Sequence, residues 1–449
     1  MGDESPVGLR GPLAHVLETR GGRDAAGELH IEHREALIYT LGKAAEIEQL
    51  IMLTYLFASF SLKTTEAEGL TADQVAVTKR WRKTLSGIAE QEMLHLAIVQ
   101  NLLTAVGGGP RFARPNFPVP PHIYPAGVQI QLLPFGDAAL QHFAYLERPM
   151  GMAFDDAEGF EALGRAAPAV FDADDEIAPH LEDFDTIGGL YRAIETGIDR
   201  LAERLGPDRL FVGPPAAQAT EDHFRWPELV AVTDVASARR AIDTIVEQGE
   251  GARGEWRDAH FGRLIGMLDE LRAMQLADPG FEPARPVVPA HVRPSLRSTP
   301  TPVVTDPGTA RAMDLLNVVN EVLLQLLSRY FAHTEETEEQ LGVLADVAVG
   351  LMYTAILPLG TAVSKLSIGL EYPGVTAGAT FELFYDVDYL LPHRRAAWVL
   401  MEERLREAAG FATRCRAACS LELMGPLAKV AAALERSADQ LAAAATPSS

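Results

Sequence analysis

The chain has 449 residues, 47% hydrophobic and 22% charged, enough for two or three domains with buried cores and too apolar for wholesale disorder. Its 39 Lys and Arg against 62 Asp and Glu give 39 − 62 = −23, a charge that repels phosphate backbones and anionic membrane surfaces, so neither nucleic acid nor membrane is expected as a partner. The two cysteines, Cys415 and Cys419, exclude a disulfide scaffold and a four-cysteine zinc site, and read as inert helical thiols.

Residues 1–30 are polar and Gly-rich and read as a loose tail, with no basic n-region or apolar h-region; a cytoplasmic protein is expected. From His33 apolar residues recur at three and four, through Leu37, Leu41, Ile47, Ile51 and Tyr55, and predict a helix closed by Gly69. Thr71 starts a second helix through Trp81, Ile88 and Leu103 to Gly107, and the two should pair as an antiparallel hairpin. Residues 110–135 are Pro-rich and aperiodic, which suits a crossover or a lid carrying Phe112, Phe117, His122 and Tyr124. A short helix begins at Asp137 and ends at Glu147-Arg-Pro149, and the acidic stretch Asp172 to Asp185 reads as a solvated loop.

Thr186 predicts the N-cap of a third bundle helix, Ile187 to Leu205, with Tyr191 and Glu195 on one face. Thr233-Asp introduces a fourth, interrupted at Gly249-Glu250-Gly251 and resuming at Trp256, His260 and Leu264. Residues 276–309 form a linker or surface strap, eight of the 29 prolines lying within 278–308. Residues 310–445 are nearly all helical, and the charge-free run Val347 to Ser364 reads as a buried core helix rather than a membrane span. The fold expected is all-α: a four-helix bundle over 31–275 with a long crossover, plus a C-terminal helical domain.

Chemistry concentrates on the first hairpin. Glu48 and Tyr55 are nearly two turns apart and share a face, while Glu92-Met-Leu-His95 places a carboxylate and an imidazole at i, i+3, where they can bind one metal together. Burying that pair in so apolar a helix costs several kcal/mol unless it is paired or metal-bound. In ferritin-like bundles each pair of helices supplies a Glu and a Glu-x-x-His motif to a two-metal centre. Glu195 is the natural equivalent of Glu48, and the fourth helix offers Glu247, Glu250 and His260. Glu250 and His260 are too far apart for i, i+3 and converge only if the chain loops out between them. Glu46 reads as a solvated acid. Tyr55 is placed to donate a hydrogen bond or an electron, with an ordinary core tyrosine as the alternative.

The segments AAEIEQLIMLTYLFA, IAEQEMLHLAIVQNLLTAVGG, FAYLERP, TIGGLYRAIETGI, IDTIVEQGEG and HFGRL together resemble the ferritin-like domain of the iminophenyl-pyruvate dimer synthase family, from violacein-, rebeccamycin- and staurosporine-type biosynthesis. The similarity spans about residues 31 to 275, and TAGATFEL resembles the segment that follows. The resemblance implies metal on Glu48, Glu92, His95, Glu195, Glu250 and His260, and oxidative chemistry on an amino-acid-derived aromatic imine. The named synthases carry an additional N-terminal region associated with haem, and this chain is expected to stand without it. The expected function is a di-iron oxidase or oxygenase of specialised metabolism, with two irons (manganese as the alternative metal). Dioxygen or peroxide and a small organic substrate would be its partners, and a homo-oligomer stays open. Iron storage and a non-catalytic helical scaffold are the rival readings.

Overall fold

The computed structural model describes residues 31–119, 130–150, 186–251, 256–293, 302–332, 335–384, 392–418 and 421–445. The 1–30 tail, the 172–185 loop, His122, Tyr124 and Cys419 lie outside them.

Helix α1 (Arg34–Ser61) is apolar on most of its circumference and accordingly central. Helix α2 (Ala72–Ala105) opens with a capping box between Thr71 and Gln74, and its last turns are buried all round from Leu94 to Ala105. The two pack along their length as the predicted hairpin. Four shorter helices complete the bundle: α3 (Asp137–Leu146), α4 (Ile187–Leu205), α5 (Val235–Gly249) and α6 (His260–Ala277). The Thr186 hydroxyl caps α4, accepting from Gly189 N–H, and Asp234 and Ser237 cap α5 reciprocally.

Pairing among these four explains their number. Helix α3 packs on α6, and α4 packs on α5. In effect the third and fourth bundle helices are each made of two pieces, one interrupted after Glu147 and the other after Glu250. Both interruptions fall beside the same small cavity, which is lined by Glu147, Ile187, Gly188, Gly249 and Glu250.

The described residues beyond the strap are mainly helical: α7 (Pro307–Phe331), α8 (Glu338–Leu351), α9 (Leu357–Val363), α10 (Arg394–Ala418) and α11 (Leu421–Ala445). These helices share one continuous core with the bundle. A π-helical turn, Met352–Ile356, joins α8 to α9 ahead of Pro358, whose missing N–H cannot continue the regular ladder. Gly360 lets α9 touch α1, since a Cβ there would lie 2.1 Å from the Phe60 ring. Among the described residues the run Glu338–Val363 is long and apolar enough to cross a membrane, with 44% of its most apolar window buried. Its inner face, including Leu344, Val347, Leu351 and Leu359, packs against neighbouring helices.

The Pro-rich strap is anchored rather than free. Val287–Val288 pairs in parallel with Thr376–Ala377, and Arg285 is buried where its guanidinium donates to Phe60 O and Ser364 Oγ and pairs with Glu68. A cation there neutralises the orphan carbonyls at the C-terminus of α1.

Candidate metal centre

Six side chains meet in the middle of the bundle, all nine-tenths or more buried: Glu48 and Tyr55 from α1, Glu92 and His95 from α2, Glu147 just past α3, and His260 at the start of α6. They form two nests that share one member. Glu48, Glu92 and His95 each offer a ligand atom within 4.8 Å of the others, and so do Glu92, Glu147 and His260. Glu92 faces both ways: one oxygen is 3.0 Å from His95 Nδ1 and the other 2.8 Å from His260 Nδ1. His95 Nδ1 is also 3.6 Å from Glu48, and His260 Nδ1 is 3.5 Å from Glu147.

The outer contacts repeat on the two sides. Tyr191 donates its hydroxyl to Glu48 at 2.5 Å, as Tyr55 does to Glu147 at 2.5 Å. His95 Nε2 lies 3.1 Å from the Gln248 amide oxygen, and His260 Nε2 lies 3.3 Å from that of Gln91. Each imidazole is thus held by its far nitrogen and points its near one at carboxylates, the arrangement by which an outer partner orients a metal-ligating histidine.

These charges are far from their solution behaviour. Burial, reinforced by the Glu92 carboxylate, pushes Glu48 up to about 8. Burial acts the same way on Glu92, but His260 and His95 outweigh it and hold Glu92 well below the ordinary carboxylate range. Burial would lower His95, yet Glu92 and Glu48 carry it up to about 10. Burial and Glu147 raise the Tyr55 hydroxyl, and burial and Glu48 raise that of Tyr191, so both remain donors.

The donor set fits a pair of divalent metal ions. Glu92 Oε1 and His260 Nδ1 are buried and, though close, are not aligned as a hydrogen bond, as expected of ligands that converge on a common point between them. Carboxylate oxygens with imidazole nitrogens are the hard and borderline donors that suit iron or manganese.

The structure brings Glu48, Tyr55, Glu92, His95 and His260 together. Glu250, at the end of α5, lines the same cavity and accepts from Met150 N–H at 3.1 Å, while burial pushes its carboxyl up to about 7. Glu247, one turn earlier on that helix, is exposed and does not line the cavity. Glu195 is not brought in. It sits one turn further along α4 than Tyr191, in an ion pair with Arg192 at 2.8 Å and 4.0 Å from Arg239. The helix has passed the level of the centre by then, so the place expected for Glu195 is taken by Glu147. Periodicity missed Glu147 because α3 reads as an accessory helix. The signal was present in a Glu that ends an apolar run immediately before Arg148-Pro149.

One smaller expectation is also corrected: Glu46 is buried and held by Lys43 at 2.8 Å rather than solvated. Of the 110–135 segment, Arg111 to Val119 lies away from the cavity, and residues 120–129 fall outside the described residues. Phe112 packs on Phe331, and Arg114 and Asn116 bond to backbone carbonyls of Phe381 and Leu383.

The apolar part of the cavity lining comes from Ile51, Leu146, Ile187, Ile245 and Val246, and its free volume of about 20 Å³ is that of one water-sized molecule.

Residues 41–268 match the ferritin-like family. Over 440 residues the chain is 25% identical to dichlorochromopyrrolate synthase of Lentzea aerocolonigenes, covering 90% of this chain and 41% of that protein. It is 29% identical over 382 residues to 2-imino-3-(indol-3-yl)propanoate dimerase of Chromobacterium violaceum, covering 79% of this chain and 34% of that protein. The chain therefore spans well under half the length of these curated relatives. A ferritin-like protein structure from Caulobacter vibrioides aligns with 70% of this chain and 96% of its own at a TM-score of 0.45 and 19% identity.

Proposed function

The chain belongs to the ferritin-like family, matched over residues 41–268, and from that premise we propose that it is a di-iron oxidase or oxygenase of specialised metabolism acting on an amino-acid-derived aromatic substrate. The observation that carries this reading is the shared carboxylate: Glu92 reaches both His95 and His260 in a buried core, so one residue holds both halves of the centre. Glu48, Glu92 and His95 would hold one metal, and Glu92, Glu147 and His260 the other, with Glu250 at the cavity wall as a further carboxylate. When bound, two irons would supply the electrons for reducing dioxygen or peroxide.

The protein's own contribution is geometric and electrostatic. Tyr191 and Tyr55 fix the rotamers of Glu48 and Glu147, and Gln248 and Gln91 fix the imidazoles. Apolar walls exclude bulk water, which protects an oxidising site from side reactions. The biosynthetic relatives support chemistry on an aromatic imine for this chain too.

A second reading rests on the cavity itself. Space for about one water-sized molecule beside the ligands favours oxidation and sequestration of iron alone. Oxygen uptake by the iron-loaded protein separates the two. Aromatic amino acids or their imines should accelerate uptake, and Glu92→Ala should abolish it. Iron accumulating well beyond two per chain, with no organic compound accelerating uptake, would replace the oxidase with a store.

A further inference from the structure

Helices α7 and α10 leave a second cavity between them, of about 550 Å³, whose lining shares no residue with the metal centre. That volume falls within the range of small-molecule sites, about 300–1,000 Å³. Its apolar surface comes from Leu315, Val318, Phe384 and Phe411, and its charge from four arginines against two carboxylates, Asp314 and Glu407.

The four guanidiniums are not equivalent. Arg404 is engaged by Glu321 at 3.1 Å, and Arg406 by Glu402, Glu435 and Asp439 at 2.8 to 3.2 Å. Arg293 and Arg414 instead lie over the Phe384 and Phe411 rings, at 4.8 and 5.9 Å from the ring centres. Stacking restrains a guanidinium while leaving the N–H fork at its edge free, and that fork matches a carboxylate in bidentate fashion. Asp314 adds a complementary feature: its Oδ1 is buried without a hydrogen-bond partner among the described residues. A buried acceptor of that kind calls for a donor.

We propose that this cavity is a second small-molecule site, which binds an aromatic carboxylate bearing a ring N–H or O–H. Arg293 and Arg414 take the carboxylate, Asp314 accepts from the ring donor, and the apolar walls hold the ring. The site does not depend on the metal centre or on the activity proposed for it.

Calorimetric titration of the full-length, metal-loaded protein tests this with indole-3-acetate as the probe. One molecule should bind per chain. Indole-3-ethanol, without the carboxylate, and naphthalene-1-acetate, without the ring donor, should each bind about tenfold more weakly or worse, a loss of about 1.4 kcal/mol. Arg293→Gln and Arg414→Gln, both at exposed positions where folding is not at stake, should weaken the probe by about tenfold each. Val318→Trp should block it, and stripping the metals with a chelator should change nothing. No binding, affinity indifferent to both arginine variants, or loss of binding on metal removal would each overturn the proposal.

Discussion

Replacing Glu147 with Ala tests the centre at the residue that helical periodicity passed over. The second nest then keeps only Glu92 and His260 of its three ligands, while the first nest is untouched. Tyr55 loses the acceptor of its 2.5 Å hydrogen bond in a fully buried position, a cost of about 1–3 kcal/mol. Against this, the metal-free protein no longer buries that carboxylate, so the metal-free variant should fold with nearly unchanged stability. The difference appears on metal addition. A ligand present at about 1,000 times its Kd stabilises the folded state by about 4 kcal/mol. Unfolding entropy of about 2.1 cal/mol/K per residue amounts to about 0.9 kcal/mol/K over 449 residues, so each such site raises Tm by about 4 °C. The unaltered protein should therefore gain about twice the metal-induced shift of Glu147→Ala. Elemental analysis should fall from two metals per chain to about one, and Glu195→Ala should match the unaltered protein on both measures. Two metals retained in Glu147→Ala, with one lost in Glu195→Ala, would refute the site as built.

Three further outcomes follow from single positions. Glu250→Ala should reduce metal content and turnover while Glu247→Ala leaves both intact, because the first lines the cavity and the second faces solvent; the reverse order would mean the carboxylates are misplaced. Gly188→Ala would set a Cβ 1.9 Å from Glu250 Oε1 and drive that carboxylate off the cavity wall, so metal affinity should drop without loss of helical circular dichroism, and wild-type affinity would show that Glu250 has no part in binding. Burial pushes the fully buried His142 down from 6.5 to about 4, so between those values the unfolded chain binds the extra proton and stability falls on acidification. The stability difference between the protein and His142→Gln should therefore change by about 3 kcal/mol between pH 7 and pH 4 in denaturant titrations, and parallel pH curves would count against a buried neutral imidazole.

Sequence alone determined the parts of this protein that depend on local chemistry. Thr71 and Thr186 start helices because their hydroxyls satisfy free N–H groups at those points, and Gly249-Glu250-Gly251 ends one because the chain turns to positive φ at Gly251. Glu92 and His95 belong together because three residues along a helix bring two side chains onto one face. Glu48, seven residues before Tyr55, is legible for the same reason. Tertiary structure decided which residue of the third bundle helix faces them. Spacing ranks Glu195 as the partner of Glu48, but periodicity carries no information on how far along its axis a helix sits when it docks. That offset comes from the packing of α3 on α6 and α4 on α5, which sets the interruptions after Glu147 and Glu250 at the level of the centre. One turn of displacement puts Tyr191 on Glu48 and leaves Glu195 with Arg192 near the surface. The same limit hid Gln91 and Gln248, whose roles exist only because the far nitrogens of His260 and His95 come to rest beside them.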